Sequence, residues 1–490
     1  MPVDGKCCDL HAQRVVGQRS WRRLWAVFAS VGKRSLLMWG CLVVLLLTSR
    51  GWAENEESGA TTETSAVQTL TIEEAYRQAV ANEEQIKIAE RELAKAQLLP
   101  WRAIALLTPR ADVAGVFTRN KEEITFSGLP TGGTPGGEGG GTTTFPSVIR
   151  PLESWVGTFS VTQPLIQPSF IPSWQLGKDT IRQNMQRYGF TLREVLFGVA
   201  RAYYEVLRAQ AQVEVAKETL LLTQDELKQA QARFRVGEVT KTDVLRAEVE
   251  VARAERAVIT SGNNVQLTAT VLARAVGVRG TVRVVEPTPP SFPGERYEQL
   301  LDKAYKQRQD LRAQDAAIDV AKQRRNLQRA RYFPSVGAQW QFPKLDSPTF
   351  ANRDEFWTLT LNFQVPIFDG GVRELDLQEE EENLSQARFQ LDRLKKDVGV
   401  EVKQTLLAAE TLAATLDTLK KEVALAQENY NITSKQYRVG LATSLDVNTA
   451  LNALNQVRTQ LTDQTYAYQL ALLGLDRATG AFAQEYVSQR

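Results

Sequence analysis

Thiol and imidazole are nearly absent. Among 490 residues there are 3 cysteines and 1 histidine, and Cys7, Cys8, Cys41 and His11 all fall in the leading 41 positions. The rest of the chain therefore admits no disulfide, no Cys or His metal site and no Cys or His nucleophile with its base. Most familiar enzyme chemistries go with them. An excess of one charge is also missing. Lys and Arg number 59 against 57 Asp and Glu, a formal +2, so nothing points to a nucleic-acid partner. The apolar run Leu36 to Leu47 is 12 residues long, short of the roughly 20 that a membrane-spanning helix needs.

That run follows Arg14, Arg19, Arg22, Arg23, Lys33 and Arg34 and precedes Gly51-Trp52-Ala53, a small-x-small site, and the acidic Glu54-Asn55-Glu56-Glu57. This is the order of an export signal. Residues 1–53 are expected to form a signal peptide cleaved after Ala53, with an extended segment over 54–69. Removing the eight basic and two acidic residues of the leader leaves 51 against 55, a net −4. A mature chain without cysteine suits an oxidising compartment outside the cytoplasm.

The chain then repeats itself. Phe234-Arg235-Val236-Gly237 and Asp243-Val244 match Tyr437-Arg438-Val439-Gly440 and Asp446-Val447 at an offset of 203. Leu272 to Gly277 aligns with Leu475 to Gly480 at the same offset, Pro164 with Pro366 at 202, and Pro109 with Pro334 at 225. The first half thus carries 23 extra residues, which coincide with the glycine-rich stretch Ser127 to Thr144. That stretch reads as a mobile loop. Pro287, Pro289, Pro290 and Pro293 mark a linker over 285–296, between a first repeat at 70–284 and a second at 297–482, with a tail at 483–490.

Each half contains a seam of apolar or small residues in alternating steps of four and three. Val195, Val199, Ala202, Val206 and Ala209 begin the first, which runs on to Phe234; Val398, Val402, Thr405 and Ala409 begin its copy, which runs on to Tyr437. This heptad pattern predicts helices of about 60 residues, or about 90 Å. Return helices come next, with Val244, Ala247 and Val251 answered by Val447, Ala450 and Leu454. Both turns place a glycine, Gly237 or Gly440, where a left-handed cap is needed. Thr240 with Asp243, and Thr443 with Asp446, then fit capping boxes for the next helix.

Ahead of each long helix lie two segments of strict alternation, expected at about 110–119 and 155–166, and at about 334–342 and 356–368. Trp357, Leu359, Leu361 and Phe363 alternate with Thr358, Thr360 and Asn362; Trp155, Phe159 and Val161 alternate with Thr158, Ser160 and Thr162; Trp340 lies on a partner strand. An apolar face about 10 residues long with aromatics toward its ends is what an outer-membrane strand requires. Four strands offer no second sheet to cover that face. They also cannot close a barrel, for which about eight is the smallest number. Closure needs several chains, with the glycine-rich loop outside the cell.

Two halves of helix, strand, strand, long helix, Val-Gly turn and return helix resemble the TolC-like outer membrane efflux protein family over about residues 70–482. The resemblance implies a mainly α fold with a small β part, a tandem-duplicated repeat forming a trimeric α-helical barrel continuous with a 12-stranded transmembrane β-barrel. It further implies a homotrimer in outer membrane lipid reaching into the periplasm, an inner membrane pump and a periplasmic adaptor, or membrane fusion, protein. Val236, Gly237, Glu238, Val239 and Thr240, with Val439, Gly440, Leu441, Ala442 and Thr443, would form the periplasmic tips that meet the adaptor. Arg233, Arg235, Asp243, Arg438 and Asp446 are candidates for contacts that hold the tips closed. No cofactor, metal or catalytic residue is expected. The expected function is a passive exit duct in efflux or type I secretion, and the alternative is a coiled-coil scaffold without a pore.

Overall fold

The computed structural model describes residues 68–126, 147–280, 282–292, 294–345 and 356–488. The expected signal peptide, residues 54–67 after it and the glycine-rich stretch lie outside the described residues.

The first half opens with β1 (Gln68–Leu70), α1 (Ile72–Asn82), α2 (Glu84–Gln97) and α3 (Leu99–Ala105). A capping box between Thr71 and Glu74 starts α1. Strands β2 (Arg110–Arg119), β3 (Ile124–Phe126), β4 (Ser147–Arg150) and β5 (Glu153–Ile166) follow, then α4 (Phe170–Arg235), α5 (Lys241–Val276) and β6 (Val282–Val284). The second half has α6 (Tyr297–Gln307), α7 (Gln309–Ala330), β7 (Ser335–Leu345), β8 (Thr358–Gln364), α8 (Val372–Arg438) and α9 (Ser444–Thr479). A short α10 (Gln484–Ser488) comes last; Tyr486 in it packs edge-on against Tyr76 at 5.9 Å.

The long helices α4 and α8 have 66 and 67 residues, about 100 Å each at 1.5 Å per residue. Pro172 lies in the first turn of α4, where a missing N–H costs no helical bond. Heptad positions keep each helix against its return partner: Val199, Val206 and Ala209 on α4, and Val402, Ala409, Leu416 and Tyr430 on α8, are buried. The seam is not equal at its far end. Phe234 is exposed, whereas Tyr437 in the copy is buried.

Away from the tips, each return helix ends at a joint. The chain between α1 and α2 breaks at Glu83, and that between α6 and α7 at Arg308, both with φ −66° and ψ 128°. Gly277 and Gly480, which end α5 and α9 with positive φ, press into these breaks. A Cβ on Gly277 would lie 2.6 Å from Asn82 Cβ, and one on Gly480 3.1 Å from the backbone of Gln307 and Arg308. Around the first joint, Tyr203 is fully buried beneath the parallel pair β1 and β6. Its hydroxyl lies 3.0 Å from the Leu70 carbonyl and accepts the Val285 N–H at 3.1 Å. Arg477 ties the halves together, pairing with Glu194 on α4 at 2.6 Å and Glu401 on α8 at 2.7 Å.

The main sheet has the order β2-β5-β7-β8, every pair antiparallel. β3 and β4 form a separate hairpin beyond it. β8 stops at Gln364, two residues before Pro366, while β5 continues through Pro164 with a register shift between Pro164 and Ile166. A proline has no N–H for the ladder, so it sits past the strand or at an irregularity.

Candidate functional site

Among the described residues, one face of the sheet and the two helical turns are left uncovered. Residues directly opposite in paired strands share a face. Phe117 faces Trp155, Val113 faces Phe159 and Ala111 faces Val161. Phe159 in turn faces Phe342 and Val161 faces Trp340, and Trp340, Ala338 and Val336 face Leu359, Leu361 and Phe363. One side of all four strands is therefore apolar. Its rings touch across strands, with Phe117 and Trp155 centred 5.9 Å apart and Phe159 and Trp340 5.8 Å apart.

The opposite side is mostly polar, with one apolar row of Val116, Val156 and Leu345. One row runs Asp112, Ser160, Gln341, Thr358 and the next Arg110, Thr162, Gln339, Thr360. Val113 is 81% exposed and Leu361 and Phe363 are each 69% exposed, so none of the described residues shields the apolar side from solvent. Trp155, Phe159, Leu359 and Trp357, the last just ahead of β8, are exposed with them, and Val161 and Trp340 are half-buried by their neighbours in the sheet. Among the described residues β2 and β8 each have a single partner in the sheet, leaving two free edges. Among the described residues no helix is long and apolar enough to cross a membrane.

At the far end, α4 and α8 finish in the same way. Gly237 and Gly440 both have φ +80°. The Gly237 N–H reaches the Phe234 carbonyl at 3.0 Å and the Glu238 N–H the Arg233 carbonyl at 2.9 Å; Gly440 and Leu441 reach Tyr437 and Gln436 at 3.1 and 2.8 Å. This pair of bonds satisfies the last helical carbonyls and needs a residue tolerant of positive φ. Thr240 with Asp243, and Thr443 with Asp446, cap the return helices reciprocally. Val236, Val439 and Leu441 project into solvent, while Val239 and Ala442 are half-buried.

The two turns differ in how they reach each other. Arg233 donates to the Tyr437 carbonyl, stacks over the Tyr437 ring at 4.8 Å and pairs with Glu238 at 3.0 Å. Asp243 accepts the Ser444 hydroxyl at 2.7 Å. That bond, with those from Thr240, holds the Asp243 carboxyl below the usual aspartate range. Arg438 donates to Gln229 at 3.3 Å. Arg233, Asp243 and Arg438 thus connect the first hairpin to the second. Asp446 bonds only within its own turn, to Thr443, and Arg235 is exposed without a polar contact among the described residues. Further from the turns the hairpins are joined by rungs that sequence reasoning did not single out. Arg458 pairs with Glu218 at 2.8 Å, Thr219 donates to Asn455 at 2.8 Å, and Gln212 donates to Asp463 at 2.7 Å. Thr, Asn, Gln and Asp at exposed heptad flanks read as solvated surface until the second hairpin is in place.

Residues 75–278 and 300–481 match the profile of the outer membrane efflux protein family, so both halves and nearly all the described chain are covered. The chain belongs to the outer membrane efflux protein family. Over 335 residues it is 24% identical to the alkaline protease secretion protein AprF of Pseudomonas aeruginosa, an alignment covering 66% of this chain and 69% of the relative. The outer membrane protein TolC of Vibrio cholerae is 25% identical over 335 residues, covering 66% of this chain and 76% of TolC. The solved structure of the outer membrane protein VceC of Vibrio cholerae shares the fold, with a TM-score of 0.67 at 19% identity over 84% of this chain and 96% of that one. Family members of this kind are channels, which gives the uncovered sheet and the long helices a common setting.

Proposed function

We propose that the protein is the outer membrane channel of a tripartite efflux or type I secretion system: a homotrimer whose chains each give four strands to a 12-stranded barrel. The observation that carries this reading is the sheet. Among the described residues its apolar side is continuous over four strands and uncovered, its other side is mostly polar, and its two edges are free. Free edges on a hydrophobic sheet invite pairing with another chain. In hydrocarbon every backbone polar group needs a partner, so the edges must close on one another. Outer membrane lipid then covers Val113, Phe159, Leu361 and Phe363, and the rows of Thr, Ser and Gln line water.

In this reading α4, α5, α8 and α9 extend the duct through the periplasm. Transport is passive, and an inner membrane pump supplies the energy. The turns at Val236 to Thr240 and Val439 to Thr443 meet a periplasmic adaptor protein, and Arg233, Asp243 and Arg438 hold them closed until it engages. Opening is a change between two packings of the hairpins. The similarity to a protease secretion protein and to a TolC keeps both export branches within the proposal. Purified protein in planar bilayers tests it: ion conductance by a trimer extracted from outer membranes with detergent is expected. A water-soluble, non-conducting protein, as a scaffold without a pore requires, overturns it.

A further inference from the structure

Glu226 lies on α4, ten residues before the Val236 cap of the first tip. It is 8% exposed. Its carboxyl is hydrogen-bonded to the hydroxyl of Tyr430 on α8, which is 6% exposed. The carboxyl oxygen Oε1 is buried with no partner among the described residues. A buried carboxylate without a cation is costly, and it relieves the cost by taking up a proton.

Among the described residues no cation acts on Glu226 as a counter-ion. Asp225 adjoins it on α4 and Glu250 approaches from α5, where Arg253 is already committed to Glu250 at 2.6 Å. α8 contributes Tyr430 and Tyr437, with Arg438 acting on Tyr430. α9 meets Tyr430 through Val447, Leu451 and Leu454, which carry no charge. Desolvation comes first; the Tyr430 hydroxyl, donating to the carboxylate, opposes it, and Asp225 and Glu250 add to it, leaving the Glu226 carboxyl pushed up to about 7. The equivalent position in the second half is Asn429, which is exposed and does not titrate. The feature therefore belongs to one side of the hairpin contact only.

We propose that Glu226 is a proton-sensitive latch: protonated, it stays buried between α4 and α8 beside Tyr430, and ionised, it carries a burial cost that the Tyr430 hydroxyl offsets only in part and so loosens the two hairpins above their tips. This rests on the reading of the tips as the gate. A carboxyl raised in the packed state favours that state most below its ordinary value, and the advantage is lost as pH rises through about 7. Between pH 6 and 8 the packed-to-loosened ratio falls on the order of tenfold per chain, from the displacement of the carboxyl from its ordinary value.

Two readouts on the full-length trimer test this. The first is open probability in planar bilayers from pH 5.5 to 8.5. The second is the rate of tryptic cleavage after Arg235 and Arg438 relative to a Glu226→Gln trimer at the same pH, which cancels the pH dependence of the protease and needs no conduction. Both are expected to rise with pH in the unaltered protein, and Glu226→Gln is expected to stay at the low-pH level throughout. Cleavage whose ratio to the variant is flat with pH overturns the latch, whether or not the protein conducts. A ratio that rises in a protein that never conducts upholds the latch and overturns the duct.

Discussion

Arg233 stands where the two hairpins meet, and a single guanidinium there serves three partners: the Tyr437 carbonyl, the Tyr437 ring and Glu238. The carbonyl belongs to the last turn of α8, the negative end of that helix, so a cation is doubly suited to it. Hydrogen bonds to charged groups contribute about 1.5–3 kcal/mol, and Arg233 is mostly shielded from water. Arg233→Ala is therefore expected to raise open probability by on the order of tenfold or more in planar bilayers. Arg233→Lys, which keeps the charge but not the planar stack, is expected to fall between. An unchanged open probability in both would leave Arg233 a cap and nothing else. The sequence marks Arg233 and Asp243 only because they flank a Val-Gly turn. It could not show that Asp243 accepts from Ser444, 201 positions away, while Asp446, in the same local motif, reaches none of the described residues across the gap. Glu226 was less visible still. It adjoins the heptad positions Thr223 and Leu227, where a glutamate reads as a solvated flank, and only the packed fold shows it buried beside Tyr430.

Among the elements, the long helices were legible because a period of three and four repeated over 60 residues admits no other regular structure. Their joints were not. Glu83 and Arg308 break helices without any proline or glycine; the residues that let the return helices close on these breaks are Gly277 and Gly480, far along the chain at the ends of α5 and α9. Strands β1 and β6, three residues each, are too short for alternation to reveal. The duplicated turn was legible in its chemistry, and the consequence can be tested at Gly440. Proline requires φ near −65° and has no N–H, whereas Gly440 has φ +80° and bonds to Tyr437. Gly440→Pro is expected to unravel the last turn of α8 and impair export while trimers still form and reach the outer membrane. The reason is distance: about 100 Å of helix separates this turn from the sheet. Counting cross-linked trimers in outer membrane fractions beside an export assay separates the two effects, and loss of trimers would make the turn a structural element of assembly.

At the scale of the whole molecule, sequence alternation fixes which residues share a strand face, but not which strands adjoin. The order β2-β5-β7-β8 places the two halves side by side through β5 and β7, and the apolar residues of both then form one surface. That surface has a direction that a pair of neighbouring positions can read. Leu361 sits opposite Ala338 in the middle of the apolar side, and Thr360 opposite Gln339 and, across β7, Thr162 on the polar side. A lysine at the lipid-facing midplane of a barrel costs about 2–4 kcal/mol, and one facing the lumen is tolerated and alters selectivity. Leu361→Lys is accordingly expected to lower the amount of assembled trimer in the outer membrane severalfold. Thr360→Lys is expected to assemble at the normal level and to shift the reversal potential in a salt gradient toward anion preference. If instead Thr360→Lys abolishes assembly and Leu361→Lys changes only the selectivity, the sheet faces lipid with its polar side, which a four-stranded share of a membrane barrel cannot do.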